Sequence, residues 1–263
     1  LSIGLQATND SSLKEIGRIH TYEEFLNTYK LARKIGFKNI NADLMIGLPK
    51  QTIEDVEKAV NDLIKLGLEH ISVYSLILEE GTVLEEQIRS GKLKLPEDEE
   101  EREMYWKVKS ILEANGYIHY EISNFAKKGY ESQHNLDCWR QKEYVGFGVA
   151  AHSYTNDVRY SNIENLEEYI ENYENDKLEE TFIFNEKLTH NMKVKEYMML
   201  GLRKLNGVSI QEFKEKFAAN PIYVFKNELE KLVNEDLLEI DGDYIRLTKR
   251  GLDLANLVWE EFV

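Results

Sequence analysis

The alternation of strands and helices through the first half of this chain is the feature that most constrains its fold. Apolar runs typical of strands occupy residues 1–6, 39–47, 70–78 and 117–123. Charged segments with helical periodicity separate them. Such an order predicts right-handed βαβ units and a parallel sheet, in which functional groups gather at the carboxyl ends of the strands.

The boundaries of the intervening helices are marked by local signals. Thr21 with Glu24 and Thr52 with Asp55 have the spacing of a capping box, which satisfies the free N–H groups of a first helical turn. Glycines that can end a helix follow at the expected distance. We therefore predict helices at about 22–36, 53–67 and 97–114.

The second half of the chain is patterned differently. The stretch "YVGFGVAAHSY", residues 144–154, is interpreted as a strand with close backbone approach at its glycines, and the acidic residues 164–180 as a boundary region. Helices are predicted at about 190–204, 209–217 and 222–234, then a hairpin in "LLEIDGDYIRLT" and a final helix. This order resembles a winged helix, so we predict domains at 1–180 and 181–263.

Composition limits the classes of partner. The net charge of −15 argues against broad binding to nucleic acid or anionic membranes. Acidic and basic residues nearly balance in the winged-helix-like segment, which favours a structural or docking role over DNA binding. Cys138 is the one cysteine, so no internal disulfide can form, and we expect a reducing, cytoplasmic location.

Asp43 lies inside the apolar run "NADLMIGLP", where a carboxylate needs a partner. It could simply accept backbone hydrogen bonds at a strand end. Gln6 also ends a strand, and Arg18 follows in the loop "GRIH". Each alone is most simply structural, but together an amide, a guanidinium and a carboxylate could hold a polar, zwitterionic ligand.

The segments "SIGLQ", "GRIH", "NADLMIGLP" and "YSLILEEGT" resemble, in this order, the second half of the radical SAM barrel. The similarity is to the branch that contains oxygen-independent coproporphyrinogen III oxidase and heme chaperones, and it extends over essentially the whole chain. It implies an α/β fold, a partial (β/α) barrel followed by a winged-helix-like α+β domain. By the same resemblance, the contacts to S-adenosylmethionine would be Gln6, Arg18, Asp43, Ile77 and His152.

The later stretch "QHNLDCW" resembles the heme-chaperone group, which carries His-Asn-x-x-Tyr-Trp there. The candidates for heme binding are His134, Asn135, Cys138 and Trp139, with Cys138 in place of the tyrosine. His134 could be an axial ligand of heme iron, or a hydrogen-bonding residue in a loop. Cys138 could bind iron as a thiolate, or be a small buried apolar residue.

Radical SAM chemistry needs a [4Fe–4S] cluster held by Cys-x-x-x-Cys-x-x-Cys, and one cysteine cannot supply it. We therefore expect a C-terminal fragment of a longer protein, inactive as an enzyme without those cysteines. The alternative is a natural degenerate homologue. The strand at 1–6 would then be a sheet edge prone to self-association.

Three functions remain open from the sequence. The first is a heme-binding chaperone that delivers heme to an acceptor protein. The second is an oxygen-independent coproporphyrinogen III oxidase, which decarboxylates propionates through a 5′-deoxyadenosyl radical. The third is an interaction module without chemistry. The resemblance implies S-adenosylmethionine, a [4Fe–4S] cluster whose ligands are absent here, and heme or porphyrin as ligands, with no nucleic acid.

Overall fold

The computed structural model describes all residues, Leu1–Val263, which form two compact units, Leu1–Glu131 and Ser132–Val263. The first unit contains strands β1 (Ser2–Gln6), β2 (Asn41–Ile46), β3 (His70–Ser75), β4 (Ile118–Glu121) and β5 (Asn124–Ala126). Its helices are α1 (Asp10–Glu15), α2 (Tyr22–Ile35), α3 (Ile53–Leu66), α4 (Val83–Arg89) and α5 (Asp98–Ala114). The predicted helices are confirmed as α2, α3 and α5.

Both predicted capping boxes are present. The Thr21 hydroxyl accepts the backbone N–H of Glu24 and the Glu24 carboxylate accepts the N–H of Thr21, which fixes the start of α2. The same reciprocal pair forms between Thr52 and Asp55 at α3. Both helices end at glycines in the left-handed conformation, as the sequence predicts.

The sheet of the first unit has the strand order β1-β2-β3-β5-β4. β1, β2 and β3 are parallel, as predicted. The expectation of a wholly parallel sheet is wrong, because β5 runs antiparallel to both β3 and β4. Only residues 122 and 123 connect β4 to β5, and so short a connection can join only antiparallel neighbours.

One face of this sheet forms the apolar core. Ala42, Leu44 and Ile46 alternate along β2, are fully buried, and pack with residues of α2, α3 and α5. Burying a leucine or isoleucine side chain contributes about 1.5–3 kcal/mol. Since successive residues of a strand face opposite sides, Asn41, Asp43 and Met45 lie on the face away from these helices.

The second unit contains two small sheets and eight α-helices. Its strands are β6 (His152–Thr155), β7 (Val158–Asn162), β8 (Phe182–Lys187), β9 (Val208–Ser209), β10 (Leu238–Asp241) and β11 (Tyr244–Leu247). Its helices are α6 (Gln133–Trp139), α7 (Leu166–Glu174), α8 (His190–Gly201), α9 (Ile210–Phe217), α10 (Pro221–Val224), α11 (Lys226–Asn234), α12 (Lys249–Asp253) and α13 (Ala255–Glu260).

The predicted strand over residues 144–154 is wrong for most of its length. Tyr144 forms an isolated bridge with Tyr154, and regular strand begins only at His152. The expected close backbone approach does occur at Gly146, where a Cβ atom would lie 2.3 Å from the carbonyl oxygen of His152. The backbone at Gly146 therefore passes close to that of His152, and apart from the Tyr144–Tyr154 bridge this stretch is not paired as a strand.

Residues 164–180, interpreted as a boundary region, are regularly folded. They form α7 and a 3₁₀ turn at Leu178–Thr181, which packs against that helix. The division between the two compact units falls between residues 131 and 132, earlier in the chain than the predicted domain boundary after residue 180. Compact units and domains need not coincide, so the domains at 1–180 and 181–263 stay a prediction.

The C-terminal part has the predicted winged-helix-like order. Four helices, α8 to α11, precede the antiparallel β10–β11 hairpin, because the helix predicted at 222–234 is divided into α10 and α11. The hairpin turn contains Gly242, and two short helices follow it. β9 completes a three-stranded sheet by pairing with β11. No helix in the described residues has both the length and the apolar composition to cross a membrane.

Candidate functional site

A polar network lies on the sheet face opposite the helices of the first unit, with Asn41 at its centre. The Asn41 amide nitrogen lies 2.7 Å from the Asp43 carboxylate and 2.8 Å from the Ser2 hydroxyl. Ser2 in turn donates to Asp43 at 3.1 Å. The Asp43 carboxylate is thus held by two donors from neighbouring positions of β1 and β2.

The same amide connects Asp43 to a buried histidine. The amide oxygen of Asn41 can only accept, so the Nδ1 of His70, 2.8 Å away, carries the proton. The Nε2 of His70 then accepts the Tyr120 hydroxyl at 2.8 Å. Burial lowers the pKa of His70 to about 4, so the ring is neutral at physiological pH and its tautomer is fixed by its two partners.

Gln6 ends β1 in an uncommon backbone conformation. Its φ of 65° lies in the left-handed region, which few residues other than glycine adopt. The side chain is buried, and its Oε1 has no hydrogen-bond partner. A Cβ atom on Gly4 would lie 2.9 Å from the Gln6 amide nitrogen, so this glycine leaves room for the side chain. Gln6 thus combines an uncommon backbone conformation with a buried acceptor that has no partner within the chain.

The remaining predicted contacts to S-adenosylmethionine are distributed as follows. Asp43 is the third of six residues in β2, so its interpretation as a residue at a strand end is wrong, although it does face away from the apolar core. Arg18 is exposed in the loop between α1 and α2, and Ile77 is exposed after β3. His152 begins β6 in the second unit and is exposed.

The heme-binding candidates lie on a helix, which corrects the interpretation of His134 as a loop residue. The Ser132 hydroxyl caps α6 by accepting the N–H of Asn135. Because residues four apart share a helix face, Nε2 of His134 lies 3.8 Å from Sγ of Cys138. The His134 side chain is exposed, and its ring meets the edge of Tyr144.

The carboxyl end of α6 is anchored in the second unit. The Arg203 guanidinium lies between two indoles, 4.5 Å from the Trp139 ring and 4.6 Å from the Trp259 ring. Next to it, the buried Gln141 donates to Glu196 at 2.7 Å. Trp139 therefore has a packing role, and α6 presents His134 and Cys138 from a fixed position.

The residues of this chain suit S-adenosylmethionine but not the [4Fe–4S] cluster, the two cofactors that the resemblance implies. The unpartnered Oε1 of Gln6 and the carboxylate of Asp43 are acceptors suited to the ammonium group of S-adenosylmethionine. The cluster does not fit this chain, because a [4Fe–4S] centre needs three or four thiolates and Cys138 is its one cysteine.

Sequence reasoning missed most of the polar network. Ser2, Asn41, His70 and Tyr120 were not singled out as site residues, although they join Asp43 in one hydrogen-bonded set. The available signal was alternation, since polar residues occupy alternate positions at Asn41 and Asp43 of β2 and at His70 and Ser72 of β3. A second buried histidine of this unit, His119, also has a polar partner, because its Nε2 lies 3.3 Å from the Tyr105 hydroxyl.

Comparisons with known families match both ends of the chain. Residues 1–63 match the Radical SAM superfamily, and residues 188–254 match the HemN C-terminal domain. Among solved structures, coproporphyrinogen III oxidase (HemN) from Escherichia coli, a radical SAM enzyme, superimposes with a TM-score of 0.80. That match covers 100% of this chain and 63% of the other at 21% identity, and it shows that the fold is shared.

Two curated relatives have a higher sequence identity to this chain than the solved structure does. The chain is 38% identical over 263 residues to the heme chaperone HemW of Lactococcus lactis, and 40% identical over 265 residues to that of Bacillus subtilis. All of this chain is covered in both matches, which span 68% and 69% of the relatives' lengths. The chain therefore belongs to the HemW family of the radical SAM superfamily and has the partial barrel and winged-helix-like domain of its HemN-like branch.

Proposed function

We propose that this chain binds heme at the exposed face of α6 and is part of a heme chaperone that delivers heme to an acceptor protein. The observation that carries the proposal is the identity of 38–40%, over the entire chain, to proteins named heme chaperones. The proposal is supported locally by an imidazole and a thiol placed one helical turn apart on an accessible face.

Of these two groups, His134 is the better iron ligand. Burial and the neighbouring Asp137 raise the pKa of the Cys138 thiol, so at neutral pH it is protonated. A thiol must lose its proton before it ligates a metal, whereas a neutral imidazole is ready to bind iron. By the same family resemblance, Asn135 and Trp139 are proposed to line the site, with Trp139 also packed against Arg203.

The S-adenosylmethionine contacts proposed for the intact protein are Gln6, Arg18, Asp43, Ile77 and His152. When bound with its cluster, this cofactor supplies radical chemistry in the superfamily. The polar network bears on this assignment, because Ser2 and Asn41 hold the Asp43 carboxylate in one orientation. A cytoplasmic location stays a prediction.

The oxidase alternative has weaker support. It rests on the likeness to coproporphyrinogen III oxidase at 21% identity, which concerns the fold. The third possibility, an interaction module without chemistry, predicts no heme binding at all. Hemin titration therefore separates the leading proposal from this third possibility.

In a hemin titration followed by the Soret band, we expect His134→Ala to shift the band and weaken binding at least about tenfold, or 1.4 kcal/mol. The physical reason is loss of the axial nitrogen, which leaves only apolar contact with the porphyrin. Cys138→Ala is the matched control on the same helix face, and should leave the band position unchanged.

Two outcomes would contradict this assignment. A change of spectrum with Cys138→Ala but not with His134→Ala would assign the thiolate as ligand. Indistinguishable titrations for wild type and both variants would remove α6 as the heme site.

We also propose self-association through β1. This strand is the sheet edge in this chain, paired only with β2, and an unprotected edge offers free N–H and C=O groups to another strand. Leu1→Lys, which places a charge next to the edge, should weaken dimerisation about tenfold in sedimentation equilibrium. A chain that stays monomeric at the highest attainable concentration would refute the proposal.

A further inference from the structure

The segment between residues 164 and 184 exposes apolar side chains on two elements. Along α7, Leu166, Ile170 and Tyr173 are 58%, 47% and 62% exposed. Their spacing of four and three residues places them in one stripe on the helix. In β8, Phe182 and Phe184, which share one side of that strand, are 46% and 62% exposed. We name the α7 stripe of Leu166, Ile170 and Tyr173 the acidic apolar surface, because of the charges around it.

The exposure of the stripe is not the result of a detached helix. The side chain of Asn165 caps α7 by accepting the N–H of Glu168 at 3.1 Å. On the other side of the helix, Asn172 is buried and donates to the carbonyl oxygen of Glu180 at 3.2 Å. The helix is therefore fixed by its polar side, and its apolar stripe is left to solvent.

The charges around the surface are almost all of one sign. Residues 164–180 hold eight Asp and Glu residues and one Lys. Glu167 and Glu174 lie next to the stripe on the helix surface, three residues before and four residues after Ile170. An apolar stripe with a carboxylate rim is complementary to a segment that combines apolar anchors with basic residues.

We propose that the acidic apolar surface is a docking site for a basic amphipathic segment of a partner protein. A second copy of this chain is disfavoured, since two such rims would repel each other. Nucleic acid and anionic lipid surfaces are disfavoured by the same repulsion.

The test uses the whole chain and a fluorescent amphipathic peptide of leucine and lysine as the probe, measured by fluorescence anisotropy. Ile170→Glu should weaken peptide binding at least about tenfold, because it places a charge in the apolar stripe. Glu167→Gln combined with Glu174→Gln should weaken binding about three- to tenfold and reduce its dependence on salt. A peptide with glutamate in place of lysine should not bind.

The control removes the same charge elsewhere. Glu99→Gln with Glu103→Gln alters two exposed acids of α5 and should leave peptide affinity unchanged. Equal weakening by this pair would show that only net charge matters and would overturn the proposal, as would wild-type binding by Ile170→Glu. Tyr173→Ser, which adds no charge, should also weaken binding, and circular dichroism checks that each variant is folded.

A lipid surface is the remaining alternative. Ile170-dependent binding to phosphatidylcholine vesicles, with no binding to the leucine–lysine peptide, would assign the surface to membranes and refute the proposal. The inference does not depend on heme: Ile170→Glu should titrate with hemin as wild type does, so failure of either proposal leaves the other testable.

Discussion

Acidification from neutral pH to about pH 4 is expected to destabilise the first unit by about 3 kcal/mol for each of two buried histidines, His70 and His119. Burial lowers the pKa of both imidazoles from 6.5 to about 4. Both rings are almost fully buried, at 5% and 7% exposure. Each of these imidazoles therefore binds a proton less readily in the folded protein than in the unfolded chain.

The direction of the effect follows from the two pKa values. Above pH 6.5 neither state carries the extra protons, so these histidines add no pH dependence. Between pH 6.5 and about 4 the unfolded chain binds the protons and the folded chain does not, so stability falls as pH falls. The slope is about 1.4 kcal/mol per pH unit for each histidine.

Urea unfolding across this pH range measures the effect. His119→Phe preserves the stacking on Phe125, whose ring centre is 4.3 Å from that of the histidine, and should remove about half of the histidine-dependent loss. His20→Gln, at a half-buried loop position, serves as the matched control and should retain the full loss. An unchanged pH profile in His119→Phe would contradict the assignment to buried histidines.

Trp139→Ala is expected to destabilise the second unit by about 3 kcal/mol, the cost of removing a packed indole. The indole lies against the Arg203 guanidinium, which also stacks on Trp259, so its loss opens one side of this sandwich. Because α6 ends at Trp139, the position of His134 and Cys138 should loosen with it.

Thermal unfolding and near-ultraviolet circular dichroism measure this prediction. Trp139→Phe keeps an aromatic face for Arg203 and should recover most of the stability. His134→Ala changes an exposed residue and should shift stability by no more than about 0.5 kcal/mol. If Trp139→Ala unfolds like wild type and loses only heme binding, the indole is a heme contact and not an anchor of α6.

The local elements were accessible from the sequence because their signals lie within a few residues of each other. The capping boxes at Thr21 and Thr52 predict the starts of α2 and α3, since the donors they satisfy belong to the same helical turn. The apolar alternation of β2 places Asp43 away from the core. The hairpin of the winged-helix-like domain follows from its turn residues.

Pairing between distant segments was decided by the tertiary structure. Nothing in residues 117–126 indicates that β5 inserts between β3 and β4, because its hydrogen-bond partners in β3 lie more than fifty residues away. The strand predicted over 144–151 fails for a related reason. Its backbone is placed by the crossing at Gly146 and His152, and not by a ladder that its own apolar pattern could specify.

The candidate sites divide in the same way. The sequence by itself provided the candidate groups: the carboxylate of Asp43, the imidazole of His134 and the thiol of Cys138. Only the folded chain placed Asn41 between Asp43 and His70, left the Gln6 oxygen buried without a partner, and put the imidazole 3.8 Å from the thiol. The reason is physical, since residue type fixes what a group can donate or accept, whereas burial and partners arise only from contacts between segments that the chain brings together on folding.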